Sequence, residues 1–282
     1  MKFKTKFTYL FLILLIAFSG CSTQRINSVP SFDGVSITFE VQGAGEPTII
    51  FVHGWAGRRQ NWDAQRDYFS DQYQVVLVDL AGNGTSGHDR IEWSMEAFGK
   101  DVVTVIDHLD LDQVIFVGHS IGSAVIMEAA AMIPNRVIGL VPVDMFQNVE
   151  ETLSSEQRVQ KVSDYMNWIL SSDNEYIVQS PMIGWEESLS NAIEWFSDEL
   201  RPKLALNLAP IVCINSDMKE TDVMIARKYT NSFDVRIIEG VGHAVMLDAP
   251  LEFNTVLQDI IYTFKKMNLD KIIVESQNLI KD

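Results

Sequence analysis

From residue 35 onward, short runs of β-branched and apolar residues alternate with longer stretches whose apolar positions recur every three or four residues. Ser36–Val41 alternates polar and apolar positions, as a strand with one covered face does. Thr48–Val52, Gln74–Val78, Val114–Val117, Val137–Val143, Pro210–Ile214 and Phe233–Ile238 are almost continuously apolar. Strands read this way when they lie parallel and helices cover both faces of their sheet. Helical spacing occupies Asn61–Phe69, Met95–Leu109, Ile121–Ile133, Asp222–Tyr229 and Leu251–Phe264. Within the second of these, Phe98, Val102, Val105, Ile106 and Leu109 form a single stripe. The alternation predicts an α/β fold built on a doubly wound, mostly parallel sheet.

The rhythm breaks between Asp144 and Asn207, where no strand pattern occurs and helical pieces carry Tyr165, Trp168, Trp185, Trp195 and Phe196. A long excursion between two strands is usually functional. It is read as a helical lid over residues 145–207, dividing a core formed by residues 35–144 and 208–282. Lys265–Asp282 reads as an extra amphipathic helix or a frayed tail.

The amino terminus follows other rules. Lys2, Lys4 and Lys6 precede an apolar run from Phe7 to Phe18, which is short for a membrane span of ~20 residues. Ser19 and Gly20 follow, and then Cys21, in the order that export signals require. Phe18-Ser19-Gly20-Cys21 resembles a bacterial lipobox, with Phe18 where Leu is usual. This implies a signal peptide over 1–20, a lipid on Cys21, a tether over 21–34 and attachment to a membrane of the cell envelope. Cys213, in the apolar run Pro210–Ile214, reads as a packed thiol, because no His or Lys neighbours it in sequence.

Charge narrows the classes further. With 38 acidic and 22 basic residues the chain carries −16, and losing residues 1–20, with three lysines and no acid, leaves −19. Such a surface repels a phosphate backbone, so nucleic acid is not an expected partner. A small molecule is, and neutral or cationic substrates are favoured over anionic ones. Two cysteines supply neither a disulfide scaffold nor a four-thiolate zinc site.

Candidate chemistry centres on Gly118-His119-Ser120-Ile121-Gly122, which joins a strand directly to a helix. A serine on such a sharp turn has an exposed hydroxyl, and the following helix presents its positive end to developing negative charge. His53-Gly54-Trp55 ends the strand Thr48–Val52, and the backbone N–H groups of Trp55 and Ile121 are candidates for an oxyanion hole. Asp79–Ser86 is a glycine-rich turn without the lysine of a phosphate-binding loop, so it reads as structural. His243, within Gly240-Val241-Gly242-His243, follows the last strand and suits a general base. His53 and His119 read as structural neighbours of the site, and His88 and His108 as bystanders. Three acids could orient His243. Asp217 follows Pro210–Ile214 and is preferred, Asp144 ends the preceding strand, and Asp222 is placed to cap a helix.

Together the HGW, D-x-x-G-x-G-x-S and GHSIG blocks, the acid-then-VGH tail and the stretches Leu247–Pro250 and Glu252–Asn254 resemble the α/β-hydrolase superfamily over roughly residues 35–264. The lidded esterase, C–C hydrolase and perhydrolase branch is the most similar. The resemblance implies an eight-stranded sheet, a helical cap and no cofactor. The acid loop, Ile214–Asp222, departs from the Gly-x-x-Asp run of many members. The implied reaction is hydrolysis of a carboxylic ester through Ser120, His243 and Asp217, with Trp168, Trp185 and Trp195 lining a substrate pocket and no metal. A C–C hydrolase acting on a diketone, or a catalytically silent binding protein of the same fold, are the alternatives.

Overall fold

The computed structural model describes residues 25–171 and 183–279. Eight strands form one sheet: β1 (Arg25–Pro30), β2 (Ser36–Gln42), β3 (Thr48–Val52), β4 (Val75–Val78), β5 (Val114–His119), β6 (Val137–Val143), β7 (Ile211–Ser216) and β8 (Phe233–Ile238). Their spatial order is β1-β2-β4-β3-β5-β6-β7-β8, antiparallel at the β1 and β2 edge and parallel from β4 to β8. β1 lies within the segment expected to be a tether. It pairs with all of Ser36–Val41, and only Val29 of its six residues is buried, so it carries almost no hydrophobic pattern.

The central strands are buried on both faces, and their residues divide by twos. Ile50, Val52, Val76, Val78, Val114 and Phe116 enter one apolar layer, whereas Ile49, Phe51, Val75, Leu77, Ile115 and Val117 enter the other. Helices α2 (Met95–His108) and α3 (Ile121–Met132) cover the first layer through Phe98, Val102, Ala124 and Val125. Helix α1 (Asp63–Phe69) and the long C-terminal helix α9 (Pro250–Leu279) cover the second through Phe69, Phe253, Leu257 and Phe264. Gly139 on β6 admits the Phe264 ring, which a Cβ there would meet at 2.0 Å. The predicted tail beyond Phe264 continues α9 as far as Leu279, with exposed Met267, Leu269 and Val274.

Between β6 and β7 the chain forms helices α4 (Ser155–Ser171), α5 (Trp185–Glu194), a π turn (Trp195–Glu199) and α6 (Leu200–Leu206). No strand occurs among the described residues of this interval. Trp195 donates its indole N–H to Glu128 Oε1 at 2.7 Å, and Lys203 Nζ lies 2.7 Å from Glu128 Oε2, so the insertion is tied to α3. Two short helices, α7 (Val223–Ala226) and α8 (Val245–Asp248), flank β8. No described helix is long and apolar enough to cross a membrane, and Cys21 lies outside the described residues.

Candidate active site

Ser120 stands between β5 and α3 with φ 52° and ψ −121°, a conformation that an L-residue adopts only under constraint. Its flanking glycines supply the space. A Cβ on Gly118 would meet Gly122 O at 2.4 Å, and one on Gly122 would meet the Val52 and His53 carbonyls at 2.7 Å. The backbone of Gly54 also lies close, since a Cβ there would come within 3.1 Å of Ser120 Cβ. The loop after β3 is therefore pressed against the serine. Among the described residues, neither Trp55 N–H nor Ile121 N–H donates to a backbone acceptor outside its own element, as an oxyanion pair requires.

That loop is held from behind. His53 is fully buried, and burial pushes its pKa down. Its Nε2 accepts from Leu80 N–H at 3.0 Å, so its proton sits on Nδ1 and donates to the Gly54 carbonyl at 2.7 Å. Asp79 accepts from Arg59 N–H at 2.7 Å and Thr85 N–H at 3.0 Å, and also pairs with the Arg59 guanidinium. The glycine-rich turn Asp79–Ser86 is a structural clamp, as its sequence suggests.

His243 donates from Nδ1 to Asp144 Oδ2 at 2.7 Å. The preferred acid of the sequence reading is thereby corrected. Asp217 Oδ1 accepts from Gly240 N–H at 3.0 Å and pins the turn after β8, while Asp222 accepts from Ile225 N–H at 2.9 Å and caps α7. Asp144 reaches the histidine because β6 lies beside β5, with Val143 in register with His119. At Asp144 the backbone turns to φ 51°, and Asn215 clamps the next residue, accepting from Met145 N–H at 3.2 Å and donating to Met145 O at 3.1 Å. Ser216 donates its backbone N–H and hydroxyl to Asp144 Oδ1, at 2.9 and 2.8 Å. Burial raises the pKa of this carboxyl, but the bonds from His243 and Ser216 outweigh it, and the net shift is downward.

His119 lies behind His243, with ring centroids 4.7 Å apart. Burial, reinforced by the charge of His243, lowers its pKa to about 3. A neutral His119 with its proton on Nε2 donates to the His243 carbonyl at 2.9 Å and holds that loop. His119 is the structural neighbour that its place beside Ser120 suggests, whereas Ser216 and Asn215 have no motif that announces their duties.

Ser120 and His243 line one cavity of about 390 Å³, with Trp55, Ile121 and the helical insertion on its walls. Of the three tryptophans expected there, only Trp168 lines it. Trp185 is buried and donates to Gly82 O at 3.4 Å, and Trp195 is buried against Glu128, so both hold the insertion in place. The apolar lining comes instead from Leu189, Ala192, Ile193, Phe196 and Leu200, with Phe146 from the segment leaving β6. Cys213 is fully buried in β7, and burial pushes its thiol pKa well up. Among the described residues no three His, Cys, Asp or Glu side chains converge as metal ligands.

The sheet order, the elbow and the helices on both faces define the α/β-hydrolase fold. Comparison with known proteins agrees. A sequence model of the α/β hydrolase fold family matches residues 47–176. A Haemophilus influenzae protein named "Putative esterase/lipase" is 35% identical over 104 residues, 37% of this chain and 36% of that protein. Karrikin insensitive 2 receptor IA of Petunia hybrida is 26% identical over 192 residues, 61% of this chain and 66% of the receptor. The chain thus spans only about a third of the first of these relatives. Among solved structures, a thermophilic esterase from Thermogutta terrifontis superposes with a TM-score of 0.71 at 16% identity, covering 85% of this chain and 99% of the esterase.

Proposed function

We propose that the protein is a serine-dependent hydrolase of a small carboxylic ester or related acyl substrate. The observation that carries this reading is the 2.7 Å bond from His243 Nδ1 to Asp144, on a cavity that His243 shares with the strained Ser120. With Nδ1 committed to Asp144, Nε2 is the nitrogen left to accept a proton. Ser120 Oγ attacks the carbonyl carbon as its proton passes to His243 Nε2, and the carbonyl π pair moves onto oxygen. Trp55 N–H and Ile121 N–H stabilise that oxyanion. Its collapse breaks the carbon–oxygen bond to the leaving alkoxide, which takes the proton from His243. Water then attacks the acyl-serine, gives its proton to the same nitrogen, and releases the acid as Ser120 is reprotonated. The helical insertion acts as a lid whose apolar face receives the acyl group.

The name of the Haemophilus influenzae relative points the same way. Labelling by a fluorophosphonate, lost in Ser120→Ala together with p-nitrophenyl acetate hydrolysis, is the expected outcome. A folded, unlabelled wild-type protein refutes the reading in favour of a binding protein. We place this activity at a bacterial envelope membrane through a lipid on Cys21, on the strength of the Lys2–Cys21 pattern. Cys21→Ser should then lose the lipid mass shift and membrane retention, and unchanged fractionation refutes the anchor.

A further inference from the structure

Asn61 is 8% exposed and sits on the cavity wall, in the 3₁₀ turn Arg59–Trp62 that follows the loop beside Ser120. Its Oδ1 accepts from Arg58 N–H at 2.7 Å, which orients the amide. The Nδ2 group is thereby turned away from Arg58. Among the described residues it donates to no protein acceptor, and it is not sealed off as a buried orphan atom either. This donor therefore keeps accessible surface, on a residue that lines the cavity. Its place on the wall follows from its neighbours. A Cβ on Gly57 would lie 2.9 Å from both Asn61 Oδ1 and the Gly54 carbonyl, so Asn61 adjoins the loop pressed against Ser120. The helix that follows the turn reaches α8, with Gln65 Nε2 3.4 Å from Met246 O. That short helix begins two residues after His243.

The turn that carries Asn61 packs against α8, so Asn61 borders the cavity on the His243 side, whereas Leu189, Ile193 and Phe196 line it from the helical insertion. In the hydrolysis proposed above, His243 delivers its proton to the leaving oxygen, so the leaving group lies on this side. We infer that Asn61 Nδ2 donates to an oxygen acceptor carried by the leaving alcohol, which makes the preferred substrates esters of oxygen-bearing alcohols with an apolar acyl group. The inference rests on the serine-hydrolase reading. A buried donor left unpaired by a hydrocarbon leaving group costs binding energy, and that cost supplies the discrimination.

The test compares two butyrate esters of nearly equal shape, n-butyl and 2-methoxyethyl, with the wild type and Asn61→Asp. Asp keeps the acceptor for Arg58 N–H but replaces the donor by an oxygen. The wild type should favour the methoxyethyl ester in kcat/KM by about three- to tenfold, the range of a neutral hydrogen bond. Asn61→Asp should lose that preference and instead favour 2-(dimethylamino)ethyl butyrate, whose protonated amine donates. A general loss of stability scales all three esters together and cannot invert their order. Asn61→Ala, which removes the donor without adding an acceptor, should abolish the methoxyethyl preference without the inversion, and it serves if the Asp variant fails to fold. Fluorophosphonate labelling of the wild type with an unchanged methoxyethyl-to-butyl ratio in the variants overturns the subsite alone. Absence of labelling overturns the hydrolase reading and the subsite with it.

Discussion

Ser120, Asp144 and His243 follow the carboxyl ends of the parallel strands β5, β6 and β8, whereas another wall of the same cavity is carried by helices inserted between β6 and β7. On the sheet side, Ser120 and Asp144 are held by backbone contacts that the strand register dictates. Asp144 N–H donates to Ile214 O at 3.0 Å, and Ser120 N–H donates to Val143 O at 3.1 Å. On the helical side, position depends on side chains: Trp195 and Lys203 on Glu128, Trp55 Nε1 on the Trp185 carbonyl at 2.9 Å, and Arg158 on Asp198 at 2.8 Å. Trp168 and Tyr165 stay about half exposed there. A sheet-borne geometry tolerates little displacement and suits bond making. A wall hung on a few side chains can vary without disturbing that geometry, and this suits selection among substrates.

Mutations on the sheet side should therefore remove turnover, and those on the helical side should change preference. The largest effect is expected for Ser120→Ala, a loss of on the order of 10⁴–10⁶ in kcat for p-nitrophenyl acetate with the fold intact by circular dichroism. Full activity in that variant would contradict the mechanism outright. Asp144→Asn should cost roughly 10⁴ in kcat, because the amide cannot hold His243 in the tautomer that leaves Nε2 free. Asp217→Asn and Asp222→Asn, assayed alongside, should retain most of the activity. The reverse ranking would return the acid to β7.

The helical wall breaks the comparison in another way. Trp168→Ala should leave the melting temperature nearly unchanged yet flatten the acyl-chain profile of kcat/KM by up to tenfold. That is the worth of about two buried methylenes, at ~0.8 kcal/mol each and 1.4 kcal/mol per factor of ten. Trp185→Ala and Trp195→Ala should instead lose about 3–5 kcal/mol of stability by urea unfolding, as large-to-small core changes do. Equal behaviour of all three would mean that the wall does not separate lining from anchoring residues.

A further effect concerns pH. His119 stays neutral in the folded protein down to about 3, whereas in the unfolded chain it takes up a proton below its ordinary value of 6.5. The unfolded state then binds more protons, so His119 costs stability as pH falls from 6.5 toward 3. His119→Gln keeps a donor for the His243 carbonyl but does not titrate. Its loss of stability between pH 7 and 5 should be smaller than that of the wild type by about 2 kcal/mol. Identical slopes in urea unfolding at the two pH values would show that His119 is not the group responsible.

Where a pattern is local, the sequence was legible. Seven strands, five of the helices and the strandless interval follow from runs of apolar residues with periods of two or of three to four. β1 escaped because it is an edge strand with one buried side chain and nothing periodic to reveal it. The turn at Ser120 was equally readable, since its flanking glycines answer to a crowding only a few residues away.

The acid was not local. Asp144 and Asp217 both follow strands, and chain order alone favours neither. The choice was made by the adjacency of β6 to β5 and by Ser216, which reaches across from β7 to aim the Asp144 carboxylate. The tryptophans of the insertion divide for the same reason. Their spacing marks them as large and helical, but whether a ring meets the cavity or the core depends on the helix it lands against. On its own, the amino-acid sequence determined the fold, the turn at Ser120 and the loop that carries His243. Tertiary structure alone decided which acid meets that histidine, which rings line the cavity and that Asn61 stands on its wall, because each depends on residues brought together from distant parts of the chain.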